Sequence, residues 1–316
     1  KENYSDARNM LIEVDSGEIR LSTTDMLAGA VTFNVSDTVS IKKEGKISVD
    51  AKSLAVFVKA VSGTLNGYIT KAGRLMIKCG AQKMSFVPAD KNVPIREFDE
   101  ETDKVLETSG SILSSVLKIA FMAAPDDAST VPALTGLQLI TTNGMMYSMT
   151  ASTTRSAYTW IPVDTLGSGR FLLPKKTCDL LMYYLHDNDN VSLYFDGKRV
   201  WFITDRFKLV SAQINGEFPY EAVSKIVQQE RYHSLTVDAN ELEQGLQTCF
   251  DLARATGNKH SRITFTANHD YNLFNIATDI PELGDMDWPI VTKKQEGQGF
   301  IFTLLSKYIE EVLKAI

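Results

Sequence analysis

Cysteine is scarce, with three residues in 316, at positions 79, 178 and 249. Odd in number and far apart, they suit reduced thiols in a cytoplasmic setting rather than a disulfide framework. No apolar run approaches the roughly 18 residues of a membrane span, so no membrane partner is expected. The opening Lys1-Glu-Asn-Tyr-Ser-Asp6 is no secretory signal. There is no phosphate-cradling glycine loop and no Gly-x-Ser-x-Gly elbow. The four histidines, His186, His233, His260 and His269, share no ligand spacing with the cysteines. Each reads as an ordinary surface residue, and neither a metal nor any other cofactor is expected. Asp126-Asp127 follows Ala124-Pro125 at a helix end, where a loop or capping role outweighs catalysis. Cys178 and Cys249 fall on apolar helix faces and read as core. Without a catalytic constellation, the chain reads as a scaffold and not an enzyme.

What is present is ordinary globular composition, 44% hydrophobic and 23% charged, with a net charge of −6. An acidic balance speaks against nucleic acid as a partner, but net charge is a sum, and a basic surface can sit on an acidic protein. The length is that of about two or three domains.

One pattern recurs. Leu11–Asp25, Leu137–Ser152 and Ile263–Asp279 each read as two strands around a turn, closing on a small polar cluster. Asp25, Ser152 and Asp279 are spaced by 127 residues in each step. A strand running into a helix follows each hairpin, at 47–59, 171–181 and 300–313. Equal long spacing argues for three copies of one domain. An alternation of period two through the first hundred residues marks strands with one buried face. The acidic, turn-rich Glu97–Asp103 reads as a solvated linker. Ser111–Met122 has a helical apolar stripe, and Asp238-Ala-Asn-Glu241 is a helix N-terminal signal. The domains expected are 1–103, 104–230 and 231–316. The first lacks an opening helix, and the third lacks its closing strands. Three full copies would run to about 380 residues, so the chain reads as truncated at both termini.

The segments Phe121–Leu137, Phe171-Leu-Leu-Pro-Lys-Lys176 and Asn215-Gly-Glu-Phe-Pro219 resemble the bacterial beta sliding clamp, the beta subunit of DNA polymerase III. The resemblance covers essentially the whole chain. It implies an α+β fold of three clamp domains in an arc, sheets outside and helices lining a central channel. It further implies a head-to-tail homodimer forming a ring round duplex DNA, a processivity factor for DNA replication. The channel would be lined by Lys52, Lys59, Lys118, Lys175, Lys176, Lys307 and Lys314. A groove for peptide motifs of the replicative polymerase, the clamp loader and other proteins would include Leu134, Thr154, Arg155, Ser156, Pro219, Ala222 and Val223. The family loop usually reads Thr-Asp-Gly-His-Arg-Leu; here it is Ala151-Ser-Thr-Thr-Arg-Ser156. A divergent phage or plasmid clamp would fit that loop equally well. The alternative is a clamp-like peptide-docking scaffold that no longer encircles DNA.

Overall fold

The computed structural model describes residues 8–313 except 16, 26–28, 36–38, 91, 92, 94, 124–130, 153, 228, 231, 232, 256–261, 269–271 and 281–283, with backbone alone at Met122, Ile280, Lys307, Glu311 and Leu313. Contacts divide the chain into two units, Lys1–Phe218 and Pro219–Ile316.

The first unit begins with β1 (Asn9–Asp15), β2 (Glu18–Thr24), β3 (Gly29–Val35) and β4 (Gly45–Asp50), which leads into α1 (Ala51–Ala60). β5 (Leu65–Ile69), β6 (Leu75–Cys79) and β7 (Gln82–Phe86) follow, then β8 (Asp103–Ser109) and α2 (Gly110–Ala120). The pattern returns as β9 (Gly136–Thr142), β10 (Met145–Ala151), β11 (Ser156–Pro162), β12 (Asp164–Thr165), β13 (Gly169–Pro174) and α3 (Lys175–Tyr184). β14 (Asn190–Phe195), β15 (Arg199–Ile203) and β16 (Phe207–Ala212) complete the unit. The second unit contains α4 (Tyr220–Val227), β17 (Ser234–Thr236), α5 (Ala239–Ala255), β18 (Arg262–Asn268) and β19 (Leu273–Ile280). It ends with β20 (Gly284–Val291), β21 (Lys294–Glu296), β22 (Phe300–Leu305) and α6 (Ser306–Leu313).

The three hairpins of the sequence are β1–β2, β9–β10 and β18–β19. Each lies at the centre of the same antiparallel strand order: β3-β2-β1-β4, β11-β10-β9-β13 and β20-β19-β18-β22. In every copy the last strand of that order runs directly into a helix, α1, α3 or α6. The middle turn shows why the local sequence closes there. Asn143 and Gly144 have φ of 50° and 74°, the left-handed pair that a two-residue hairpin matching the strand twist requires.

The first two copies are joined through backbone. β3 pairs with β16, from Phe33 opposite Phe207 to Gly29 opposite Ser211. The result is one nine-stranded sheet, β12-β8-β14-β15-β16-β3-β2-β1-β4. Gly29 fits because it has no side chain: a Cβ there would lie 2.1 Å from the Val210 carbonyl oxygen. At the other end of the joint the Phe33 ring meets Tyr184 at 4.7 Å and Phe207 at 5.9 Å.

Three hydrophobic clusters accompany the three copies. Ile47, Val49, Leu54, Ile77 and Phe86 form the first. Leu117 of α2 and Leu181 of α3 pack with Leu139, Phe171, Phe202 and Phe207 in the largest. Leu246, Cys249 and Phe250 of α5 lie with Phe265, Ile276 and Ile290 in the third. Each fully buried large side chain contributes about 1.5–3 kcal/mol. Three helices, α1, α2 and α5, begin where a carboxylate or hydroxyl accepts the first free N–H groups. Asp50 accepts from Ser53, Ser109 from Ile112, and Asp238 from Asn240 and Glu241.

Glu97–Asp103 is a solvated linker, as read in the sequence, except at Phe98. Its carboxylates are exposed, but the Phe98 ring packs edge-on against Tyr194 at 4.9 Å and Trp201 at 5.3 Å. The Lys208 ammonium lies 5.7 Å from the Phe98 ring centre. One aromatic residue among six polar ones is enough to pin the segment to the sheet, because its apolar area outweighs the solvation of its neighbours. Phe98→Ala should lower stability to urea by about 1–3 kcal/mol, whereas Glu100→Ala should change it by less than about 0.5 kcal/mol.

The turn after α3 depends on an ion pair. Arg206 donates from Nε to Asp189 Oδ1 at 2.9 Å and from Nη2 to Oδ2 at 2.6 Å, and also to the Tyr184 carbonyl at 2.7 Å. The guanidinium hydrogen bond holds the Asp189 carboxyl below its ordinary range, with help from the His186 N–H and against the effect of burial. A depressed carboxylate stabilises the fold above its unfolded pKa of about 3.9, and that contribution is lost as pH falls through the lower native value. Asp189→Asn should therefore destabilise the protein at pH 7 and narrow its difference from wild type in urea titrations run below about pH 4.

Candidate nucleic-acid interface

The lysines singled out in the sequence fall on helices. Lys52 and Lys59 are exposed on α1, Lys118 is exposed near the end of α2, and Lys175 and Lys176 open α3, the first half-buried and the second exposed. Lys307 lies in α6 with its side chain outside the described residues, as is all of Lys314. Their settings differ. Lys59 and Lys118 occupy last turns, where an ammonium complements the helix dipole. Lys175 and Lys176 stand in a first turn without an acidic residue, behind Pro174, which supplies no side-chain cap. There the dipole opposes them. Lys175 lies with its ammonium 5.4 Å from the Phe121 ring centre. Lys176 pairs with Asp25 at 2.9 Å.

That last contact follows from the β3–β16 joint. Thr177 and Ser211 share a 2.6 Å hydroxyl hydrogen bond, so the start of α3 sits over the strand position opposite Gly29. Asp25 is on the loop entering β3. Its Oδ1 accepts from Gly29 N at 2.8 Å, and Asp25 N donates to the Gly29 carbonyl at 3.1 Å. The sequence offered Asp25 only as a repeat anchor. Its partner lies about 150 residues away, and no local pattern predicts such a contact.

The second unit is different in charge. The exposed side of α5 carries Glu241, Glu243, Gln244, Gln247, Asp251 and Arg254. Arg254 is engaged by Asp251 and by Glu310 of α6. Among the described residues, the exposed lysines on the helices that follow the repeated sheets, Lys52, Lys59 and Lys176, all lie in the first unit.

Of the groove residues, four lie in the first unit and three in the second. Leu134 is half-buried in the short helical turn Pro132–Thr135, Arg155 is half-buried, and Thr154 and Ser156 are exposed. Ser152 closes the loop: its hydroxyl accepts from Thr154 N at 3.3 Å and Arg155 N at 3.2 Å. Pro219 and Ala222 are exposed and Val223 is buried, at the start of α4. Val223 N donates to the Pro219 carbonyl at 3.1 Å.

His186 and His233 are exposed, and His233 Nδ1 accepts from Gln298 N at 3.0 Å. His260, His269 and Asp126-Asp127 lie outside the described residues. Among the described residues no group of three or more His, Cys, Asp and Glu could hold a metal ion. No helix among them is long and apolar enough to cross a membrane. The three cysteines are free and buried. Burial pushes the Cys178 thiol far above its ordinary range and that of Cys249 up to about 11. Since the thiolate is the reactive form, a disulfide-exchange reagent at pH 8 should react slowly with Cys178 and Cys249 in the native protein and fast after denaturation.

Repeated sheets with the same strand order, each feeding a helix, define an α+β repeat fold. That fold is the one of the bacterial beta sliding clamp. No protein-family model matches the chain. The beta sliding clamp of Staphylococcus aureus is 19% identical over 300 residues, covering 94% of this chain and 76% of that protein. The solved DNA polymerase sliding clamp of Bacillus subtilis superposes with a TM-score of 0.89 at 18% identity, over 99% of this chain and 83% of the other. The beta subunit from DNA polymerase of Streptococcus pyogenes gives 0.86 at 17% identity, and the DNA polymerase III beta subunit of Thermotoga maritima 0.85 at 19%. Each of these two matches covers 100% of this chain and 84% of the other. The chain is a distant match to the beta sliding clamp along its full length.

Proposed function

We propose that this protein is a DNA sliding clamp: a non-catalytic processivity factor that encircles duplex DNA and tethers a replicative polymerase. In this reading three domains, 1–103, 104–230 and 231–316, form an arc, and two chains close a cytoplasmic ring head to tail. The observation that carries it is the threefold recurrence of one strand order and its helix, with exposed lysines on those helices in the first two copies. A sliding ring must hold DNA without gripping it. Lysines meeting phosphates satisfy that need because the contact carries no sequence information. The channel residues would be Lys52, Lys59, Lys118, Lys175 and Lys176, with Lys307 and Lys314 from the third copy. The polymerase, clamp loader and other peptide-motif partners would dock on Leu134, Thr154, Arg155, Ser156, Pro219, Ala222 and Val223.

The second reading, a peptide-docking scaffold that no longer encircles DNA, is favoured by the acidic exposed side of α5. The two readings differ in salt dependence. For the clamp, the logarithm of DNA affinity falls linearly with the logarithm of salt concentration, and Lys52→Glu/Lys59→Glu/Lys118→Glu should flatten that slope by about 2–3 units, one phosphate contact per lysine. An unchanged slope in the triple variant would exclude a channel lined by α1 and α2.

A further inference from the structure

We propose that Asp25 is a built-in counter-ion for Lys176, occupying the place of a DNA phosphate at the start of α3 and so lowering the grip on DNA. The inference rests on the reading above that the helices face DNA. It adds a residue of opposite sign that sets how tightly the first unit holds the duplex.

Three observations support it. First, the carboxylate is tied to the start of its own strand independently of the lysine contact. Oδ1 accepts from Gly29 N, and Thr24 Oγ1 and Asp25 N both donate to the Gly29 carbonyl, at 2.9 and 3.1 Å. Oδ2 is thereby presented to Lys176 at 2.9 Å. Second, the lysine end of the pair is open to solvent: Lys176 is 59% exposed and Asp25 20%, so the ammonium is free to trade its carboxylate for another anion. Third, the start of α3 favours an anion. It combines two adjacent lysines, an uncapped first turn and no acidic residue in that turn. Unscreened, such a point would fix a phosphate and slow sliding. A carboxylate within hydrogen-bond reach makes phosphate binding there an exchange of one anion for another, with little net gain. The joint places it: Gly29 is tight against Val210, Ser211 opposite Gly29 bonds Thr177, and Lys176 precedes Thr177.

The test uses Asp25→Asn, which keeps an oxygen to accept from Gly29 N and removes only the charge facing Lys176. The probe is a fluorescein-labelled duplex of about 30 base pairs titrated with the full chain across a salt series. Asp25→Asn should steepen the logarithmic salt slope by about 0.9, the value of one added phosphate contact, and tighten binding several-fold at low salt. Asp25→Asn/Lys176→Gln should return to the wild-type slope. Urea unfolding of Asp25→Asn should match wild type, which separates the effect from a folding defect. A wild-type slope in Asp25→Asn, with wild-type binding itself salt-dependent, would overturn this inference and leave the clamp reading standing. Equal steepening in the single and double variants would also overturn it, since the gain would not pass through Lys176. Wild-type binding without salt dependence would overturn the DNA reading, and this inference with it.

Discussion

Backbone pairing between β3 and β16 is the constraint on which the first unit depends. Strand edges otherwise expose unpaired N–H and C=O groups and invite uncontrolled association. Here the edge of one repeat is satisfied by the edge of the next, and the nine-stranded sheet is the consequence. The joint is specified at both ends. Gly29 admits the Val210 carbonyl where any side chain would collide, and Phe33 locks against Tyr184 and Phe207 at the far end. Polar contacts then collect over it. Thr177 reaches Ser211, and Lys176 reaches Asp25. The charge pattern at the start of α3 is therefore a product of sheet geometry, and a change in the joint would move it.

The sequence made the repeat legible because its signals are local. Asn143-Gly144 between alternating strands can hardly be other than a tight hairpin, and the equal spacing of the three copies needs only counting. One helix start was legible for the same reason: Asp238 is a cap residue by chemistry with an acid three residues on, whereas the caps Asp50 and Ser109 emerge only in the structure. What joins the copies was not legible. β3 and β16 have the composition of strands, but nothing in either says which neighbour it will pair with. The packing of Phe98 was illegible for a similar reason. Six polar residues dominate the local composition, while the fate of Phe98 is decided by Tyr194, Trp201 and Lys208, about a hundred residues away.

The candidate site divides along the same line. Exposed lysines at helical spacing could be named from sequence, and Lys52, Lys59, Lys118 and Lys176 are exposed. Their electrostatic settings could not. Lys176 faces a carboxylate and Lys175 an aromatic ring, so equal charges on paper are unequal in the fold. The acidic side of α5 was present in the sequence as Glu241, Glu243 and Asp251. Charged residues on one side of an amphipathic helix are ordinary solvated surface, so their sign carries no signal in sequence alone.

The central claim is topological: the protein holds DNA by surrounding it. The direct measurement is retention on a nicked circular plasmid, loaded with a compatible clamp loader, before and after the plasmid is cut once. The account predicts that protein stays with the circle through a high-salt wash and is lost on linearisation, as a closed ring slides off the ends. Equal retention on circular and linear DNA would contradict it, because surface binding does not depend on whether the DNA has an end.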